Sequence, residues 1–334
     1  MSPALLHVSL VALPDVAVST LAGLYDVLKA PATFGGDGAM FGVEVVGESA
    51  GPLELVSGVP FLVQREIASI DATDIVIVPS VWVGADGWVK GRYPRFLDWV
   101  RRMHERGAAL CSACSGVFAL AETGLFDGCD ATVHFNFERA FTAAFPSVRV
   151  HPERVLVVSG TREELISSGA SNTWHDLALY LIARHIGATT AQEVARSYAL
   201  QWHQDGLTPF ITFKGRIDHG DAEIVAAQQW LAAHFSVATP VDQMIARSNL
   251  AERTFKRRFA MATGLAPIAY VQRLRVEDAK RWLERSDAPV DEIGWRVGYE
   301  DAAFFRRLFK RTTGIAPGAY RKRFRIPDFA RVNA

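Results

Sequence analysis

The sequence predicts two architectures in series: a doubly wound, mainly parallel α/β sheet, then an all-α domain with two helix-turn-helix motifs. Three observations carry this. Strand-length apolar runs alternate with helical patterns as far as residue 200. The last hundred residues contain one segment twice, at 251–270 and 301–320, with nine of twenty paired positions identical. The charge also divides. From residue 223 onward 20 Lys+Arg face 12 Asp+Glu, an excess of eight cations, whereas residues 1–222 hold the other 16 against 24.

A chain of 334 residues, 49% hydrophobic and 22% charged, has room for two domains with separate cores. The boundaries read as 1–203 for the first domain, 204–222 for a linker and 223–334 for the second. Three cysteines, Cys111, Cys114 and Cys129, are too few and too close together for a disulfide framework. The opening MSPALLHVSLVAL lacks a cationic segment and its apolar run stops at Pro14-Asp15, so it reads as a first strand and not a signal peptide. No run approaches the ~18 apolar residues of a membrane span. The expectation is a cytoplasmic protein of a reducing compartment, with no membrane partner.

In chain order, LLHVSLVAL (5–13) predicts a buried strand and VSTLAGLYDVLKA (18–30) a helix. VEVVGES (43–49) is a second strand, with Gly35-Gly36-Asp37-Gly38 as the turn before it. DIVIVPS (74–80) is apolar throughout, as strands covered on both faces are. A helix carrying Phe96, Leu97, Trp99, Val100 and Met103 leads to the strand AALCSA (108–113), and the helix SGVFALAETG starts at once. ATVHF, RVLVVSG and LISSGA read as short strands, and 173–186 and 190–200 as closing helices. Residues 204–222 collect Gly, Pro and Asp without periodicity, although TPFITF is apolar enough to pack on the first domain.

The tail is helical throughout. Thr239-Pro240 is an N-cap followed by proline at the first helical position. In the first copy of the repeat Phe255 and Phe259 share one helix face while Arg253, Lys256 and Arg257 take the other. In the second, Phe305 and Phe309 face inward, and Arg306 and Arg307 outward. Apolar anchors behind and hydrogen-bond donors in front are what a helix-turn-helix needs in a DNA major groove. PIAYVQRLRVEDAKRWLERSD between the copies has a helical apolar stripe. A rod of about 18 residues, ~27 Å long, can hold two readers near one turn of duplex apart, ~34 Å.

Residues 225–325 resemble the DNA-binding domain of AraC/XylS-type regulators. The likeness rests on the two G-[LI]-A-P-x-A-Y stops, on LRVEDAKRWLERSD, and on VDEIGWRVGYEDAAFFRRLFKRTTGIAP. It implies that Arg253, Lys256 and Arg257 contact bases in the first reader, and Ala302, Ala303, Arg306 and Arg307 in the second. The small residues that open the second reader point to thymine methyls or backbone contacts.

In ALCSACSGVFALAETG, Cys114 falls between a buried strand and a helix, the position of a nucleophile elbow. A small buried cysteine at a tight turn is the other reading of the same residues. Cys111-x-x-Cys114 is not a zinc or redox pair, because strand positions three apart point to opposite faces and a lone CxxC is half a zinc site. The remaining histidines are scattered, without metal-ligand spacing, so no metal and no cofactor is expected.

Residues 5–190 resemble the class I glutamine-amidotransferase-like superfamily in its PfpI-type branch, a flavodoxin-like fold. CSACSGVFALAETGLFDGCDATVHF matches the elbow of GlxA-type regulators, which join such a domain to an AraC-type one. The resemblance puts Cys114 at the nucleophile position. Peptidase-like members follow it with histidine, whereas this chain has Ser115, so the adjacent base is missing. Isonitrile hydratases rely on an acidic residue early in the first helix, and Thr20 stands there. His134 and Asp26 are the remaining candidates to line a ligand pocket with Cys114 and Ser115. The resemblance implies a homodimeric regulator whose partners are double-stranded promoter DNA, RNA polymerase and a small effector of amino-acid or quaternary-amine origin. A cysteine-dependent hydratase or amidohydrolase tethered to DNA, and a cysteine redox sensor, are the alternatives.

Overall fold

A computed structural model describes residues 5–33 and 40–330; the turn expected at Gly35-Gly36-Asp37-Gly38 lies outside them. The chain divides into two units between Leu207 and Thr208.

In the first unit the elements run β1 (Leu5–Val11), α1 (Val18–Lys29), β2 (Met40–Gly47), β3 (Gly51–Glu54), β4 (Pro60–Val63), β5 (Arg65–Glu66) and β6 (Ile75–Val78). There follow α2 (Pro94–Glu105), β7 (Ala109–Ala113), α3 (Val117–Ala121), β8 (Asp130–Ala131), α4 (Glu138–Ala144), β9 (Arg149–Val150), β10 (Leu156–Ser159), β11 (Leu165–Ser168), α5 (Trp174–His185) and α6 (Ala188–Ser197). Seven strands form one sheet in the order β10-β11-β7-β6-β1-β2-β5. All neighbours pair in parallel except β10, which runs antiparallel on β11. β6 and β7 lie centrally, and the four residues of β6 are all buried. ATVHF (131–135), expected as a sheet strand, contributes only Ala131, which with Asp130 forms β8 and pairs with β9 outside the main sheet. A hairpin of β3 and β4, too short to register as a sequence pattern, also stands apart.

The second unit contains α7 (Ala222–His234), α8 (Pro240–Arg247), α9 (Glu252–Thr263), α10 (Pro267–Arg285), α11 (Val290–Arg296), α12 (Ala302–Thr313) and α13 (Pro317–Phe324). The repeat is repeated in three dimensions. Phe259 meets Tyr270 edge-on at 5.3 Å, and Phe309 meets Tyr320 in the same way at 5.5 Å. The Thr263 and Thr313 hydroxyls each donate to the carbonyl four residues earlier, of Phe259 and Phe309. Gly264 and Gly314 then end α9 and α12 at φ 75° and 83°, the left-handed backbone that glycine adopts without strain.

Two cores result, and α10 belongs to both. Tyr270 and Val271 near its start join Phe255 and Phe259; Val276, Ala279 and Leu283 join Phe305 and Phe309. At the junction the guanidinium of buried Arg275 donates to three carbonyls, Phe235 and Val237 before α8 and Gly298 in the turn after α11, at 2.7–2.8 Å. Its face also lies 4.9 Å from the Tyr299 ring centre.

Residues 208–221 are attached to the second unit. Lys280 Nζ donates to the Ile211 carbonyl, the Phe213 ring packs edge-on against Tyr270, and a Cβ on Gly215 would lie 1.6 Å from the Tyr270 hydroxyl. TPFITF therefore packs on the helices that follow it.

Arg275→Met would remove the donor from three part-buried carbonyls. The expected loss is about 3–5 kcal/mol, measured as a fall in the urea midpoint of the second unit's unfolding transition.

Candidate cysteine site and nucleic-acid interface

Cys114 follows the C-terminal end of central β7 at φ 52°, a conformation rare for a residue with a Cβ. The neighbouring sequence enforces it. A Cβ on Gly116 would lie 2.3 Å from the Val78 carbonyl, so only glycine lets the chain turn this close to β6. The Ser115 hydroxyl donates to the Val81 carbonyl and accepts the Val81 N–H. The elbow expected from sequence is thus present, but Ser115 faces the protein and is a clamp on the turn.

The thiol is almost fully buried, 2% exposed. Its partners are hydroxyls: Ser171 at 3.6 Å, Ser80 and Ser115. Ser80 in turn accepts from Thr20 at 3.2 Å. These residues come from the carboxyl ends of β6, β7 and β11 and the start of α1, the crevice where doubly wound sheets place their sites. Burial pushes the thiol pKa up, and the hydroxyl bonds only partly oppose it. Asp26 is on the exposed face of α1, whose buried face carries Thr20, Leu24 and Val27, and it is not among the thiol's partners. His134 caps a short helical turn instead: its Nδ1 accepts the Asn136 N–H, and its ring lies 4.3 Å from that of Phe135. Burial lowers its pKa, so it is neutral at pH 7. Cys111 is a free, buried cysteine within β7, as its strand position implied.

Missed by sequence reading is a cluster of His175, Asp176 and His203, whose donor atoms lie within 4.8 Å of one another. The view that the histidines are scattered is corrected here: the fold joins positions 27 residues apart.

In the second unit Arg253, Lys256 and Arg257 are exposed on α9, opposite fully buried Phe255 and Phe259. On α12 Ala303, Arg306 and Arg307 are exposed, and Ala302 partly so. Lys256 pairs with Glu252 at 2.5 Å and Arg306 with Asp291 at 2.6 Å. Among the described residues Arg253, Arg257 and Arg307 have no ion-pair partner. Arg257 and Arg307 are equivalent positions of the repeat. Arg258, beside them in the same basic run, points the other way: it holds Asp221, the N-cap of α7, through two bonds of 2.7 and 2.8 Å.

A flavodoxin-like sheet with an elbow cysteine, followed in one chain by two copies of a helix-turn-helix, defines a two-part protein that joins a PfpI-type domain to a helix-turn-helix domain. The chain belongs to the DJ-1/PfpI family, whose model matches residues 7–184. A helix-turn-helix domain model matches residues 244–323. The HTH-type transcriptional regulator CdhR of Pseudomonas aeruginosa is 25% identical over 218 residues, 64% of this chain and 62% of that protein. The HTH-type transcriptional regulator GlxA of Rhizobium meliloti is 25% identical over 212 residues, covering 62% of this chain and 63% of that protein. The chain thus spans less than two thirds of these curated relatives. Drosophila melanogaster DJ-1beta shares the fold of the first unit, with a TM-score of 0.50 at 20% identity over 60% of this chain and all of that one. Among the described residues no helix is long and apolar enough to cross a membrane.

A raised thiol pKa leaves little thiolate at neutral pH. In a Cys129→Ser background, iodoacetamide should alkylate Cys114 about tenfold or more slowly at pH ~7.5 than the unfolded chain, and the rate should climb as pH rises. Rapid, pH-independent alkylation measured by mass spectrometry would contradict this.

Proposed function

We propose that the chain is a sequence-specific, DNA-binding transcription regulator whose first unit senses a small molecule and catalyses nothing. The observation that carries this is the pair Arg257 and Arg307: equivalent repeat positions, both exposed, both without an ion-pair partner among the described residues. Each stands on a helix anchored by the same Phe-Phe-Tyr arrangement, and the two anchors are joined by α10. At 19 residues α10 is roughly 28 Å long, a spacing suited to successive major grooves on one face of a duplex. Lys256 and Arg306 exchange Glu252 and Asp291 for base contacts on binding. Ala302 and Ala303 let the second helix approach the bases closely, where small side chains meet thymine methyls.

The non-catalytic reading is supported by the thiol, which burial keeps protonated and whose bonding partners among the described residues are serines. Thr20 occupies the place where related hydratases carry an acid, and it bonds Ser80. Effector binding near Cys114, of the amino-acid or quaternary-amine class that the resemblance implies, homodimerisation, a cytoplasmic location and contact with RNA polymerase belong to the same proposal. Genome-wide mapping of bound sites tests it most directly, because the neighbouring operons identify the metabolite.

Arg257→Ala and Arg307→Ala should each weaken binding to a mapped promoter by about 1–3 kcal/mol in gel shifts of the full chain. Unchanged affinity in both variants would remove the assignment. Cys114→Ser should keep the fold and DNA affinity while altering the effector response; turnover of a nitrile, isonitrile or amide that this variant abolishes would instead establish an enzyme.

A further inference from the structure

We propose that His175, Asp176 and His203 bind one divalent transition-metal ion of the zinc class. His175 and Asp176 occupy the first turn of α5, and His203 the segment after α6. Asp176 Oδ2 lies 2.7 Å from His203 Nδ1 and 3.5 Å from His175 Nε2. The side chains of Asp176 and His175 are only 4% and 6% exposed. Among the described residues Asp176 has the two histidines as its only ion-pair partners. The His203 N–H donates to Asp176 Oδ1 at 3.0 Å, but no Lys or Arg stands beside this carboxylate among the described residues. A cation between it and the imidazoles would balance its charge. Two imidazole nitrogens and one carboxylate oxygen suit zinc, cobalt, nickel or ferrous iron, whereas magnesium and calcium favour all-oxygen sets.

Without metal, His175 Nε2 is 2.9 Å from the Gln201 carbonyl and donates its proton there. Binding uses each imidazole with its proton on the far nitrogen, which leaves His175 Nε2 and His203 Nδ1 as ligands. Three protein ligands leave a tetrahedral ion one open position. Asp176 and His203 both line a cavity of about 530 Å³, together with Tyr180, Trp202 and Gln204. That volume admits water or a small molecule with a carboxylate or amine donor. His203 also precedes the division between the two units by four residues. Ligation would therefore fix the stretch of chain that leads into the second unit, independently of Cys114.

The test uses the full chain, stripped with chelator and titrated with Zn²⁺ alone by calorimetry and with Co²⁺ by absorption. One Zn²⁺ per chain is expected, weakened about tenfold or more in His203→Gln, with cobalt d–d bands and no thiolate-to-cobalt charge transfer. No stoichiometric binding, equal affinity in His203→Gln, or a thiolate band lost in Cys129→Ser would overturn the proposal. Should His203→Gln fail to fold by circular dichroism, diethyl pyrocarbonate labelling of the unaltered chain decides the matter. Saturating Zn²⁺ is expected to protect His203, and unprotected labelling would overturn the site.

Discussion

The second unit depends on one buried guanidinium. Arg275 sits where α10 leaves one phenylalanine core and enters the other, and its three donor contacts reach the backbone on both sides of that junction. Two small cores joined only by a helix could each pack well and still twist against one another. Backbone carbonyls from both halves, held by one planar group, convert two cores into a body with a set angle between α9 and α12. A buried charge is a weak source of net stability, and its use here is geometric. The phase between the two repeat helices is a property that bulk apolar packing does not specify.

A comparable constraint shapes the first unit, where Gly116 rather than the cysteine is the indispensable residue. Its closeness to the Val78 and Pro79 carbonyls forces the chain to turn directly off β7, and this places Cys114 in the left-handed region. The Ser80, Ser115 and Ser171 hydroxyls, with Thr20 behind Ser80, then surround the sulfur with groups that offer hydrogen bonds but no charge. The same scaffold would support nucleophilic chemistry if an acid replaced Thr20 and a base adjoined the thiol. With hydroxyls there, the crevice retains shape and polarity without activation.

The parallel sheet, the elbow and both helix-turn-helix units were legible in the sequence because each rests on local periodicity. β6 is a continuous apolar run, and the Phe255/Phe259 and Phe305/Phe309 pairs mark their helix faces directly. ATVHF misled because its alternation is that of a strand, while only Ala131, its first residue, finds a strand partner. Ser115 has a role that its place beside the cysteine does not disclose, since its hydroxyl also ties the turn to Val81. Asp26 failed as a pocket residue because it is six positions beyond Thr20, on the outward face of the helix. The grouping of His175, Asp176 and His203 has no local signature, since a return of the chain after α6 creates it. Arg275 left one clue, a cation within an otherwise apolar stripe.

The attachment of residues 208–221 has a practical consequence for anyone dissecting the molecule. Composition alone suggests cutting at Glu223, just past the glycine-rich stretch. Such a cut would discard Asp221, the cap of α7 and the anchor of Arg258, along with Phe213 on Tyr270 and the Ile211 carbonyl that receives Lys280. A fragment begun at Thr208 keeps all of these, so apparent failure of the shorter piece to recognise an operator would report a frayed boundary and not the absence of recognition.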